Sequence, residues 1–450
     1  MTTARRVLLG VVVVLGLLLA GAVWYLGPIA PIATGYAAKI TCSGHVLSQR
    51  PVDDMQGDLP PNPLVPLLRV SADESGQQVS ASLLGAWRST AHVTEGLGCT
   101  LADEDPGFTP PEPVTLDDPG APWPEGAAPL APPEGVDADA LDAAIARAFL
   151  EDDPEGRRRN TRAVVVAADG ELIAERYGDG FGPETPLLGW SMAKSVANGI
   201  VGRLVHAEVL ALDDDRLRPE WDDERADITL EHLLTMTDGL RFEEVYDPDT
   251  DATRMLFTPG ETAAYAAEQP LTATPGTSWS YSSGTSNLLC DVAHEASGAG
   301  PELARELIFA PLGMTSAVME PDAGGGLVCS SFMYASARDW ARFGQWFLQD
   351  GVWDGERLLP EGWVEASTTP VEPATTPYGA QWWLNAGPDG QLRMPTVPAD
   401  AFWASGNEGQ QVVVVPSEEL VVVRLGFSGE FGGIDWGLEE LLAGVIDAID

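Results

Sequence analysis

Apolar residues along this chain occur in runs of three different periods, and the periods predict different elements. From Val7 to Leu26 nearly every position is apolar over about 20 residues, the length a helix needs to cross a bilayer. Residues 136–150 show helical period, with Leu141, Ile145 and Phe149 on one face. Next, 163–177 read as a hairpin turning at Asp169-Gly170. Helical period returns from Met192 through Ile200, Val201, Leu204 and Val205, and again over Ser286–Ala296. Two strands, Val412–Val415 and Leu420–Leu425, close the pattern. Earlier, residues 37–100 mix strand-like stretches such as Val79–Leu84 with polar turns, and 101–135 are rich in proline, glycine and acids. They read as an extended linker or, preferably, as an ordered extension. No internal repeat is visible.

Candidate chemistry sits at the start of the 192–205 helix. Ser191 and Lys194 stand three residues apart and share a helix face. Lys194 is one of only two lysines in 450 residues, Lys39 being the other. A serine hydroxyl becomes a nucleophile when a nearby base takes its proton, and burial turns a lysine amine into such a base. The pair alone is a weak signal. Two further segments strengthen it: Trp279-Ser280-Tyr281-Ser282-Ser283-Gly284, which follows the turn Pro275-Gly276, and Phe402-Trp403-Ala404-Ser405-Gly406-Asn407, which leads into the last two strands.

With these three elements in this order the chain resembles the class C β-lactamase family, and within it the branch of esterases and 6-aminohexanoate-dimer hydrolases. Segments 229–240, 311–314, 336–344 and 378–383 agree, so the resemblance covers roughly residues 135–450. It implies an α+β fold of the β-lactamase/transpeptidase type, an antiparallel sheet flanked by helices plus a mostly helical subdomain. It also implies roles. Ser191 would attack an ester or amide carbonyl, Lys194 would accept its proton, and Tyr281 would shuttle that proton to the leaving group. Ser283 stands where many relatives carry asparagine. The backbone N–H groups of Ser191 and Asn407, the latter after Ser405 and Gly406, would form the oxyanion hole. Tyr246 would contact substrate. Ala404 occupies the place of the lysine that β-lactamases and transpeptidases use to bind a carboxylate, so a small uncharged ester or amide is the expected substrate. A β-lactamase or D,D-peptidase proper is the alternative, and a catalytically silent, membrane-tethered sensor is a second.

Competing motifs are weaker. Gly189-Trp190-Ser191-Met192-Ala193 approaches the nucleophile elbow of α/β-hydrolases, but that fold needs a late histidine, and none of the five follows His294. His232 reads as structural. Asp247–Asp251 opens like a calcium loop yet has Ala252 and Thr258 at the glycine and glutamate positions. Neither cofactor nor metal is expected. With 25 basic against 68 acidic residues the net charge is −43, which disfavours nucleic acid and anionic lipid surfaces.

Arg5-Arg6 before the first apolar run orient it as a membrane anchor over residues 1–27 with everything after it exported. Cleavage near Ala20-Gly21-Ala22 followed by secretion is the alternative. Residues 28–134 form the extension and 135–450 the catalytic domain. The four cysteines suit an oxidising compartment. Of three pairings the simplest is Cys42 with Cys99, strapping the extension onto the catalytic domain, and Cys290 with Cys329. Oligomeric state is not legible.

Overall fold

Where the first apolar run stops, the helix that carries it does not. The structure, a computed structural model, describes residues 3–59, 64–128, 135–151, 158–428 and 436–449. Helix α1 (Thr3–Val46) passes through Pro28 and Pro31 without a break, and from Ala30 onward most of it is buried. The structure gives the span expected over 1–27 no support. Part of it, including Val7, Leu8, Leu18 and Leu19, falls outside the residues whose side chains are described, and among the described residues no helix is long and apolar enough to cross a membrane. Instead one rod carries exposed apolar residues from Leu9 to Tyr25 and then docks on the protein.

Residues 37–59 and 64–100 are ordered rather than a linker. Strands β1 (Leu68–Ala72), β2 (Gln78–Leu83), β3 (Trp87–Thr94) and β4 (Gly98–Leu101) form an antiparallel sheet in that order. Ala37, Ala38 and Cys42 of α1 meet Val79, Ala81 and Ala91, small side chains that let helix and sheet approach closely. Disulfides join Cys42 to Cys99 and Cys290 to Cys329, the simplest pairing. However, the first closes within the extension, because both its cysteines belong to it, and so it straps nothing onto the body. That docking combines apolar packing, with Ile32, Ile40 and Met55 of the extension in the core of the body, and a buried ion pair. Lys39 Nζ lies 2.8 Å from Glu320 Oε2 with both side chains at most 1% exposed. Ser43 donates to the same carboxylate at 2.7 Å and the Cys99 N–H at 2.6 Å.

The body is built on a six-stranded sheet flanked by α2 (Ala138–Ala148), α3 (Ala193–His206), α5 (Ala337–Leu348) and α6 (Leu438–Ile449), with α4 (Ser283–Ser297) packed on α3. Its strands are β5 (Thr161–Ala168), β6 (Glu171–Tyr177), β7 (Trp383–Leu384), β8 (Phe402–Gly406), β9 (Gln410–Val415) and β10 (Leu420–Gly426). They lie in the order β7-β8-β9-β10-β5-β6, each neighbour antiparallel. Asp169 and Gly170 both adopt positive φ, +53° and +78°, the turn that matches strand twist in a two-residue hairpin. Valine fills β9 and β10 without alternation because both faces are covered. Leu141, Ile145, Leu442 and Val445 of α2 and α6 pack on one face, while Val196, Ile200, Phe343 and Phe347 of α3 and α5 pack on the other. Between α3 and α4 short helices, including Leu230–Leu234, Asp251–Phe257 and Thr262–Ala267, form the mostly helical second part. His232 is structural there: its Nδ1 accepts from the Thr229 N–H at 3.1 Å and completes a capping box.

Candidate active site

Ser191 is presented by a tight turn between the sheet side of the molecule and α3. Gly189 begins it, and a Cβ at that position would sit 2.4 Å from the Trp340 ring, so only glycine fits. Trp190 follows with φ +49°, a left-handed conformation that a bulky residue adopts only when its surroundings hold it there. What holds it is burial and a hydrogen bond from its indole N–H to Glu408 Oε2 at 3.2 Å. After a single 3₁₀ turn, Trp190–Met192, α3 starts at Ala193. Ser191 thus lies at the positive end of a helix.

Lys194, one turn on, is buried and faces it. Its Nζ donates to Ser191 Oγ at 3.2 Å, Ser283 Oγ at 3.0 Å and the Ser330 carbonyl at 2.9 Å. Burial lowers its pKa to about 8, although the negative charge of Glu244 pulls the other way. About a tenth of the amine is then free at pH 7, far more than for an ordinary lysine. The Tyr281 ring lies 5.0 Å from Nζ. Burial, reinforced by Glu244, pushes the Tyr281 pKa well above its ordinary value. Of the two groups beside Ser191, lysine is therefore the one able to take a proton, and tyrosine the one that keeps its own.

Ser283 starts α4 and links Lys194 to a carboxylate. Its hydroxyl donates to Glu244 Oε1 at 2.6 Å and its N–H to Glu244 Oε2 at 2.7 Å, while the Tyr246 hydroxyl donates to Glu244 Oε1 at 2.9 Å. Tyr246 is thereby brought to the edge of the site. Tyr281 is enclosed on its far side by Tyr378 and Trp383, with ring centroids 5.8 and 5.4 Å away.

The third wall is the end of β8. A Cβ on Gly406 would stand 2.0 Å from the Gly189 carbonyl oxygen, so its absence brings the chain at Asn407 against the turn that carries Ser191. Glu408 also has positive φ, +60°, and burial raises its pKa to about 8. Buried Arg424 donates to the carbonyls of Glu408 at 3.3 Å and Gly409 at 2.8 Å, pinning this corner. Ser405 is not brought to the site. It shares the strand face of Trp403, which packs on the α2 and α6 side, and its hydroxyl accepts from Gln411 Nε2 at 2.9 Å. Strand alternation sends it away from Ser191. Ala404 faces the α3 side and is buried, leaving no cation at that position.

The structure therefore gathers Ser191, Lys194, Tyr281, Ser283, Tyr246, Gly406 and Asn407, and adds Glu244, Glu408, Arg424 and the Ser330 carbonyl. No spacing announces these four. Glu244 meets Ser283 across 39 residues, Arg424 acts through backbone oxygens, and the Ser330 contact is a carbonyl without a side-chain signature. Ser330 is held by its N–H donating to Asn287 Oδ1 at 3.0 Å and by the neighbouring Cys290–Cys329 bridge to α4. Among the described residues no cluster of three or more His, Cys, Asp or Glu is arranged to hold a metal.

The β-lactamase family model matches residues 145–426. This chain belongs to the β-lactamase family. A 6-aminohexanoate-dimer hydrolase of Paenarthrobacter ureafaciens is 26% identical over 301 residues, 59% of this chain and 72% of the relative. A Bacillus anthracis protein assigned as a 6-aminohexanoate-dimer hydrolase superposes with TM-score 0.55 at 23% identity, covering 64% of this chain and 78% of that one. A class C β-lactamase superposes at 0.52 with 14% identity, covering 69% and 96%. At these identities the structural likenesses show the fold, a β-lactamase/transpeptidase-like arrangement of antiparallel sheet and helices. The protein is a serine hydrolase of the β-lactamase fold.

Proposed function

We propose that this β-lactamase-family hydrolase cleaves a small uncharged ester or amide through an acyl-enzyme on Ser191. The observation that carries the reading is buried Lys194, 3.2 Å from Ser191 Oγ with a pKa lowered to about 8. Ser191 Oγ attacks the carbonyl carbon while its proton passes to Lys194. The backbone N–H groups of Ser191 and Asn407 stabilise the oxyanion. As the carbonyl re-forms, the bond to the leaving alcohol or amine breaks and the leaving group takes a proton relayed through Tyr281. Water then attacks the acyl carbon, its proton passes back along the same route to Ser191 Oγ as the bond from that oxygen to the acyl carbon breaks, and the acid leaves. Uncharged substrates are favoured by Ala404. Linear amides enter the screen because one relative is named a 6-aminohexanoate-dimer hydrolase.

The test is intact-mass spectrometry after exposure to a fluorophosphonate, with turnover of p-nitrophenyl butyrate, beside Ser191→Ala and Lys194→Ala. An adduct and turnover that both vanish in Ser191→Ala establish the reading; a folded protein showing neither defeats it. We further propose that the catalytic domain works outside the cytoplasm, supported by two disulfides of the kind that persist in oxidising compartments. Thiol alkylation of unreduced protein purified from its host should add no mass.

A further inference from the structure

A cavity of about 260 Å³ opens beside the nucleophile turn, and its walls come from two parts of the chain. The catalytic body contributes Trp190, Tyr246, Phe257, Asn407 and Glu408. The extension contributes Ile29, Ile32, Ala33 and Tyr36 of α1, together with Leu59, Leu64, Val65 and Leu68. We infer that this cavity is an acyl-chain pocket, built jointly by the N-terminal extension and the catalytic body, and that the substrate is an ester or amide of an unbranched aliphatic acid of medium length.

Three observations carry this. First, position: Trp190, which immediately precedes Ser191, and Asn407, the proposed second oxyanion contact, both line the cavity, so it lies beside the place where Ser191 would hold a carbonyl carbon. Second, direction. The leaving group must reach Tyr281, which is enclosed by Tyr378 and Trp383, and none of these three lines the cavity. What extends into it is the acyl side. Third, chemistry: aliphatic and aromatic side chains dominate the lining, while the carboxylate of Asp247 in the wall opposes an acid carrying a second negative charge. Its volume lies near the lower end for small-molecule sites, roughly 300 Å³ upward, which suits one chain and not a polymer. The docking of α1 keeps the extension in place, since buried Lys39 and Glu320 pair across the junction. The same helix exposes apolar residues up to Tyr25, four positions before Ile29, so the cavity adjoins an apolar surface.

The inference rests on the acyl-enzyme at Ser191, and one series separates the two. Initial rates are measured on the full chain with p-nitrophenyl acetate, butyrate, hexanoate and octanoate, for the wild type and for Ile29→Trp and Val65→Trp, both at half-buried positions of the extension. In the wild type kcat/KM should climb on the order of threefold per methylene. Each tryptophan should cut octanoate turnover by about 20-fold and leave acetate within about twofold, because acetate does not reach the filled space. A wild-type profile that is flat or favours acetate overturns the acyl pocket and leaves the acyl-enzyme standing. So do tryptophan variants that lower acetate and octanoate equally. Absence of turnover together with absence of a Ser191 adduct overturns both.

Discussion

At the scale of single residues, the site is paid for in stability by groups kept in an unfavourable state. Lys194 has its pKa lowered to about 8 from about 10.4 in an unfolded chain. Between those values the unfolded chain binds the extra proton, so stability rises with pH through this window and is lower beneath it. Lys194→Met should therefore raise Tm at neutral pH in a thermal melt while lowering kcat by at least about a thousandfold. For the wild type, kcat/KM should rise with pH as the free amine forms and level off above about 8, since Tyr281, pushed upward by burial, holds its proton throughout. A pH–rate profile that falls over the same range would remove Lys194 from the role of base. Glu408 shows the opposite linkage. Its folded pKa of about 8 exceeds the unfolded value near 4.3, so the native state holds a proton that the unfolded chain releases, and stability falls as pH rises through that interval. Melts of Glu408→Gln against wild type should show the variant gaining relative stability from about pH 5 to about pH 8, with the acceptor for the Trp190 indole preserved.

At the scale of elements, two connections matter to the site. The Cys290–Cys329 bridge closes a separation of 39 residues and ties α4, with Ser283 at its start, to the segment whose Ser330 carbonyl accepts from Lys194. Replacing both cysteines by alanine should cost about 3–4 kcal/mol by loop entropy, measured by denaturant unfolding, and should lower kcat more than it changes KM. The other connection is the Lys39–Glu320 pair between α1 and the body. Lys39→Met leaves a buried carboxylate without its cation and should destabilise by about 3–5 kcal/mol. Lys39→Met with Glu320→Gln should recover most of that loss, a result that distinguishes the charge from packing. Disulfide pairing was legible from order along the chain; the ionic docking was not, because Lys39 and Glu320 are remote in sequence and meet only once α1 lies on the body.

At the scale of the whole molecule, a net charge of −43 makes the folded chain repel itself. Tm should rise from about 0.01 to about 1 M salt as the Debye length shrinks from about 30 to about 3 Å, and a flat response in calorimetry would count against self-repulsion as a significant cost. Local pattern determined much of the rest. Apolar period located α2, α3, α4 and the valine strands, Asp169-Gly170 located a hairpin, and the i, i+3 spacing paired Ser191 with Lys194, because periodicity, turn conformation and a one-turn nucleophile–base spacing are properties of neighbouring residues; Tyr281 was legible through the family resemblance alone. Tertiary structure decided what depends on remote segments meeting. It turned Ser405 away through strand alternation, set Glu244 on Ser283 and Arg424 under the Glu408 corner, carried α1 past its apolar run onto the body, and joined the extension to the catalytic half around one cavity. Burial and long-range electrostatics make these contacts, and they have no period along the chain.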